Sequence, residues 1–184
     1  MAAKLEEDEI VSCKEEAAPM NNMASMLHCV YFGVFSALRA EHGFFGGCEY
    51  AIEKINNTNG YLKFIEGKSI HDILRSLEKT GLYQGLEFSQ EGNTAYFRIG
   101  KCSFAEGEKG IHTELKAIDV PCPLALFAAA YIANCDRSKR VYVYPTTYTP
   151  EGCKTEFGIL SPEEYEKKKQ TLRIIVDTEK IAGS

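Results

Sequence analysis

The segment from Leu124 to Ala133 constrains the fold of this chain more than any other feature. It reads Leu-Ala-Leu-Phe-Ala-Ala-Ala-Tyr-Ile-Ala and contains no charged side chain. A helix that is apolar on every face must be covered on every face, so we predict a buried central helix here. Pro123 suits its first turn, where the missing N–H costs nothing. The rest of the chain has to supply the layers around this helix.

A longer amphipathic helix is predicted near the N-terminus. Its apolar residues recur at intervals of three and four. They are Met23, Met26, Leu27, Val30, Tyr31, Val34, Phe35 and Leu38. We expect this helix to begin at an Asn22 cap and to end at Gly43. Residues 1–20 are acidic and are predicted to form a flexible or loosely helical tail, whereas residues 21–184 form a single domain.

Two shorter helices and then several strands are predicted to follow. One helix runs from Phe45 to Asn56, and the other begins in a capping box at Ser69 and Asp72 and ends at Gly81. Beyond Gly81 the apolar residues alternate, which is typical of strands. The predicted strand features are a hairpin around Glu91-Gly92-Asn93, an extended stretch at Thr113–Asp119, strands at Val141–Pro145 and Cys153–Leu160, and a closing run at Ile174–Val176. An outer charged helix is predicted to begin at Ser161.

Composition narrows the class of protein. The net charge of -5 argues against nucleic-acid binding, and Arg137, Lys139 and Arg140 are interpreted as a solvated turn. No apolar run reaches the ~18 residues that a bilayer span requires. The acidic start lacks the apolar stretch of an export signal, so we expect a cytoplasmic protein. Seven irregularly spaced cysteines in such a chain do not indicate a disulfide framework.

A combination of short motifs resembles a known family. Cys102-Ser-Phe-Ala105 closes a strand, Cys122-Pro123 opens the alanine-rich helix, and Glu151-Gly-Cys153 begins the last strand. In this order they resemble the 4-vinyl-reductase domain, also described as hydrocarbon-binding and common in archaea and bacteria. The match covers roughly residues 25 to 160, and it includes a helix that ends in Arg39-Ala-Glu-His-Gly43.

The resemblance implies a fold and a type of function. The fold is α+β, with helices packed on an antiparallel sheet, as in the ligand-binding domains of nitric-oxide signalling and in the tethering subunits of Golgi transport. A channel between the layers holds an acyl chain, a small aromatic molecule or haem in relatives, which commonly form dimers. We therefore expect a non-catalytic homodimer that binds a small apolar or amphipathic molecule.

The expected pocket lies between the first helix, the two predicted hairpins and the buried helix. Its predicted lining residues are Tyr31, Val34, Phe35, Phe97, Leu124, Phe127 and Tyr131. Large apolar residues at helical spacing are also typical of an ordinary filled core. The alternative is therefore an assembly or dimerisation protein with a solid core.

Metal binding is the other alternative. Cys122 and Cys153 match two positions that act as zinc ligands in metal-binding relatives. The strand Val141–Pro145 has neither the carboxylate nor the third cysteine that those relatives supply. Cys102 and His112 could complete a four-ligand site only if the intervening loop folded back. A zinc-containing sensor thus stays open, whereas no cofactor is expected in the main interpretation. No nucleotide-binding fingerprint, nucleophile elbow or Cys-x-x-Cys pair indicates catalysis.

Overall fold

The computed structural model describes residues 2–105 and 120–171, with side chains from Met26 onward. His112 and the predicted extended stretches at Thr113–Asp119 and Ile174–Val176 lie outside these residues. No helix in this part of the chain combines the length and apolar character needed to cross a membrane.

The first helix, α1, spans Ala2–Asn56 and is broken at Gly43. Gly43 has φ 71° and ψ 175°, a backbone conformation that is open almost only to glycine. The predicted end of one helix at Gly43 and the start of another near Phe45 are thereby confirmed. The predicted start at Asn22 is wrong, because the helix already runs through this position. The preceding alanines and glutamates favour helix and remove the need for a boundary there.

Four further helices follow within the described residues. They are α2 (Asn59–Ile65), α3 (Ile70–Glu78), α4 (Pro123–Cys135) and α5 (residues 162–171). The predicted capping box opens α3, where the Ser69 side chain accepts from the Asp72 amide at 3.1 Å. Ser161 and Glu164 form the same reciprocal arrangement at α5, so both predicted helix starts are confirmed.

A five-stranded antiparallel sheet forms the second layer. Its strands are β1 (Tyr83–Glu91), β2 (Thr94–Cys102), β3 (Arg140–Val143), β4 (Thr147–Tyr148) and β5 (Cys153–Leu160). The order is β1-β2-β5-β3, and β4 also pairs with β5. The predicted hairpin is β1 and β2, in which Glu91 opposes Thr94 across a turn with Gly92 at φ 57°.

The core lies between the inner face of this sheet and the helices. Phe97 pairs with Thr155 and Ile99 with Cys153, so alternate residues of β2 and β5 face the helices together. The helix α4 packs mainly against α1 and β3. The prediction of a buried α4 is confirmed for the face with the alanines at 125, 128, 129 and 130, which are all fully buried, whereas Leu124, Phe127 and Tyr131 are only partly buried. The protein is thus an α+β domain with helices packed on an antiparallel sheet.

Candidate ligand-binding site

The structure distributes the seven predicted pocket residues over different environments. Phe35 and Phe97 are fully buried among other core side chains. Leu124, Phe127 and Tyr131 are partly buried and pack against the core from α4. Val34 is 57% exposed and lies on the outer face of α1, away from the sheet. A shared pocket lined by all seven residues therefore stays a prediction.

Tyrosine hydroxyl groups tie α4 to its neighbours. Tyr31 of α1 donates to the Pro121 carbonyl at 2.7 Å, and Tyr148 of β4 donates to the Val120 carbonyl at 2.8 Å. Tyr61 of α2 donates to the Phe127 carbonyl at 3.2 Å, and its ring packs edge-on against Phe127 at 5.0 Å. These contacts fill the space around the N-terminal end and the first turns of α4.

An apolar groove lies elsewhere, between α5, the end of β3 and the part of α1 that follows Gly43. We call it the Tyr142 groove, and its volume is about 710 Å³. It is lined by Phe45, Tyr142, Tyr144, Pro145, Leu160, Glu164, Lys167, Lys168 and Thr171. None of the seven predicted residues belongs to it. In the sequence, the groove could have been recognised from Tyr142 and Tyr144. These two tyrosines are two residues apart, so they share one face of a strand.

Aromatic rings form the floor of the Tyr142 groove. Phe45 stacks on Tyr142 with ring centroids 4.7 Å apart, and Tyr142 meets Tyr144 edge-on at 4.9 Å. Burial raises the pKa of the Tyr142 hydroxyl, and the nearby Tyr144 and Cys48 add to this shift. Tyr142, which is only 2% exposed, therefore stays neutral at physiological pH and supports the partly exposed rings of Phe45 and Tyr144.

A charged side chain, Lys168, contacts the aromatic rings of the groove. The Lys168 ammonium lies 4.6 Å from the Tyr142 ring centroid and 4.4 Å from that of Tyr144. It also donates a hydrogen bond to the Tyr144 hydroxyl. Contacts of this kind hold a positive charge above aromatic faces. The groove therefore combines an apolar aromatic floor with a cation at one side.

The three cysteines predicted as metal ligands are buried near one another. The hydrogen bond from the Cys153 thiol lowers the pKa of Cys122; burial opposes this shift, and the amides at the start of α4 add to it. The same hydrogen bond, together with burial and the nearby Cys102, raises the pKa of Cys153. Burial raises the pKa of Cys102 to about 11.

This cysteine cluster is not assembled into a metal site in the part of the chain that the structure describes. No group of three or more histidine, cysteine, aspartate or glutamate side chains there is arranged to hold a metal ion. Since His112 lies outside the described residues, zinc binding stays a prediction. Cys102, Cys122 and Cys153 are free thiols in the core.

Comparison with known proteins identified no relative of this chain. No protein family, curated protein or solved structure matches this chain. The resemblance to the 4-vinyl-reductase domain thus rests on the motifs alone, and the function has to be argued from the geometry.

Proposed function

We propose that this protein binds a small apolar or amphipathic molecule, without converting it chemically, in the Tyr142 groove. The observation that carries this proposal is the groove in which the partly exposed rings of Phe45 and Tyr144 pack against the buried ring of Tyr142. Its volume of about 710 Å³ lies within the usual range for small-molecule pockets. Burial of a ligand against such rings contributes about 0.8 kcal/mol per CH₂ group. This contribution depends little on the orientation of the ligand.

The charge beside the floor favours an amphipathic ligand with a negative end. Lys168 lies over both tyrosine rings, and Lys167 lines the same groove. An acyl or aromatic body can cover the rings while its carboxylate lies close to these ammonium groups. A neutral hydrocarbon would have to displace water from the lysines without replacing those contacts, which costs free energy.

An environment-sensitive aromatic sulfonate, anilinonaphthalene sulfonate, tests the groove directly. We expect its fluorescence to rise on binding and a long-chain fatty carboxylate to displace it. Replacing Lys168 by Gln and Tyr144 by Ser should weaken binding of both molecules. The matched control is Tyr96→Ser with Lys154→Gln, because Lys154 lies 4.9 Å from the Tyr96 ring on the open sheet face. Equal loss of binding in both double variants would contradict the proposal.

A second proposal concerns the subunit arrangement, and the outer face of α1 supports it. Every exposed residue from position 26 to position 40 is apolar or glycine. These residues are Met26, Leu27, Cys29, Val30, Gly33, Val34, Ala37 and Ala40. A helix that faces water normally carries charged residues on that side. Four of the side chains are large and more than half exposed, so together they form a patch on the order of several hundred Å², which marks an interaction surface.

We propose that a second copy of the chain covers this face in a homodimer. A surface without charge is complementary to itself, as a two-fold symmetric interface requires. A membrane-bound helix would instead carry basic residues beside its apolar face. Here Arg39 is the one lysine or arginine between positions 23 and 42, and residues 1–22 carry six carboxylates against two lysines.

Charge reversal of the apolar face tests the dimer. We expect sedimentation velocity to show two chains of 20.5 kDa for the natural protein and one chain for Val34→Glu. Phe64→Glu is the control, since Phe64 is also an exposed apolar residue but lies on α2. A monomer in the natural protein, or a dimer that survives Val34→Glu together with Val30→Glu, would contradict this arrangement.

Native mass spectrometry of freshly purified protein separates these proposals from the metal alternative. An organic molecule released at one per subunit supports the groove. One zinc per subunit without an organic ligand would instead favour the zinc-containing sensor. A dimer that carries neither would favour the assembly protein with a solid core.

A further inference from the structure

One side of the Tyr142 groove is formed by a single face of α5. The residues that line the groove from this helix are Glu164, Lys167, Lys168 and Thr171. Their spacing of three and four positions places them on one face of the helix. Thr171 is also the last residue of α5, so the chain leaves the helix directly at the groove.

The residues that follow Thr171 are chemically suited to this groove. We call residues 172–184 the C-terminal segment; they lie outside the described part of the chain. The segment begins Leu-Arg-Ile-Ile-Val-Asp-Thr-Glu, so four of its first five side chains are aliphatic and two carboxylates come directly behind them. The spacing of the groove-facing residues of α5 reaches Ile174 and Ile175 next.

The charges on the two sides are complementary. Lys167 and Lys168 line the groove, and the Lys168 ammonium lies 4.4 Å from the Tyr144 ring centroid. Glu164 also lines the groove, but its carboxylate accepts a hydrogen bond from the Ser161 amide at 2.8 Å and so belongs to the start of α5. The positive groups are therefore left to attract a carboxylate that follows an apolar body. The C-terminal segment has these groups in this order.

The covalent connection to α5 favours occupation of the groove by the C-terminal segment. A group on a short linker has an effective concentration on the order of 1 mM, so even weak contacts suffice to hold it. Val176 is five residues beyond Thr171, and five extended residues span roughly 17 Å. This length exceeds the diameter of a helix, about 10 Å, so the aliphatic side chains can reach the rings beside α5.

We propose that the C-terminal segment occupies the Tyr142 groove of its own chain and competes there with the ligand. The aliphatic side chains of residues 174–176 cover the partly exposed rings, and the carboxylates of Asp177 and Glu179 lie beside Lys167. The inference rests on the proposed function, because it concerns the same groove and explains how access to it is regulated. A ligand then binds only to the fraction of molecules in which the segment has left the groove, which lowers its apparent affinity.

Removal of the aliphatic side chains tests this competition. The segment variant combines Ile174→Ser, Ile175→Ser and Val176→Ser in the full chain. We expect it to bind anilinonaphthalene sulfonate about threefold to tenfold more tightly than the natural protein, because a larger fraction of its grooves is open. Fluorescence titration measures the two dissociation constants under identical conditions.

Two further variants show whether the gain arises in the groove. It should disappear when Lys168→Gln and Tyr144→Ser are added to the segment variant, since the contacts for which segment and probe compete are then lost. The matched control is Leu5→Ser with Ile10→Ser and Val11→Ser. It removes the same number of aliphatic side chains from the other end of the chain and should leave the affinity for the probe unchanged.

A synthetic peptide of residues 172–184 provides the reverse experiment. Added to the segment variant, it should displace the sulfonate and lower its fluorescence. The same peptide with Asp177→Asn and Glu179→Gln should compete less well, because charge-assisted contacts with the lysines are weakened. A peptide with serine at positions 174–176 should not compete.

Amide signals of isotope-labelled protein give a readout that needs no ligand. Residues 142–144 and 164–171 should shift between the natural protein and the segment variant, and unchanged signals there overturn the inference whether or not a probe binds. A difference that vanishes in the Val34→Glu background would assign the segment to the groove of a second copy and overturn the placement in its own chain.

The two proposals fail in different ways. If the segment variant and the natural protein bind the sulfonate equally, while Lys168→Gln with Tyr144→Ser binds it less, the groove is a ligand site and the competing segment is excluded. If the amide signals shift as expected but no variant binds the sulfonate or a fatty carboxylate, the segment occupies the groove and the proposed ligand class is excluded.

Discussion

Replacement of Gly152 by Ala should be among the most damaging single changes in this chain. Gly152 directly precedes β5, where the strand passes close to β2. A Cβ atom at this position would lie 2.0 Å from the Ile99 carbonyl oxygen and 2.8 Å from that of Gly100. Both contacts are with main chain, so no side-chain rotation can relieve them. The start of β5 has to move away from β2 by roughly 1 Å or more before ordinary van der Waals distances return.

The expected loss of stability follows from the main-chain hydrogen bonds and the packing that this shift disturbs. The Cys102 amide donates to the Glu151 carbonyl at 2.7 Å, and the Thr149 amide donates to the Gly152 carbonyl at 2.9 Å. Loss of one or both costs about 1 kcal/mol each, and overpacking adds about 1–3 kcal/mol. We therefore expect the free energy of unfolding to fall by about 2–5 kcal/mol. At roughly 2–4 °C per kcal/mol for a chain of this size, the melting temperature falls by about 4–20 °C.

Urea unfolding followed by circular dichroism measures this loss. Gly60→Ala is the matched control, because Gly60 lies in the short helix α2 with no atom within 4 Å of its added methyl group. That change should stabilise the protein by up to about 1 kcal/mol, since alanine favours helix over glycine. A Gly152→Ala protein that unfolds within about 1 kcal/mol of the natural one would refute the close approach of β5 to β2.

Two further predictions concern titration and thiol access. Hydrogen bonds from Ser69, and then from Arg75, hold the pKa of Asp72 below its ordinary value. The stabilisation is therefore complete above the pKa of the unfolded chain and is lost as pH falls through the lowered folded value. Urea midpoints for Asp72→Asn should lie below those of the natural protein at neutral pH and converge with them in acid; a constant gap would contradict this. In a Cys13→Ala background, a thiol reagent should label the exposed Cys135 first, and Cys29 on the proposed dimer face should be labelled as fast only when Val34→Glu separates the subunits. Mass spectrometry should find the other four labelled only after denaturation: Cys48, Cys102, Cys122 and Cys153.

Most helices and turns could be predicted from the sequence because one or two neighbouring residues determine where they begin or end. The break at Gly43, the capping box at Ser69 and the hairpin turn at Gly92 each follow from the backbone freedom or hydrogen bonding of one or two residues. The burial of α4 follows from its uniform composition. The start of α1 could not be predicted in this way, because Asn22 is compatible with a cap and with a helix interior.

The position of the open groove could not be read from the sequence. Periodicity indicates that a side chain faces an apolar environment, but not whether protein, ligand or a second subunit provides it. Val34 shows the difference, because it belongs to the apolar pattern of α1 and yet lies on the outer face. Phe45 and Tyr142 are almost a hundred positions apart, so their stacking depends on how α1 and β3 pack.

The tyrosines that hydrogen-bond to α4 and to the residues just before it also limit the stability of the fold at alkaline pH. Burial is the largest cause that raises the pKa of Tyr31, Tyr61 and Tyr148, so the folded chain keeps these hydroxyl groups protonated. An unfolded tyrosine ionises near about pH 10. Their contribution to stability is thus complete below that pH and declines above it. Since the chain contains no tryptophan, phenolate absorbance reports this process as a step on top of the gradual ionisation of the more exposed tyrosines. These buried phenols should ionise in one abrupt step, together with loss of structure, rather than one at a time.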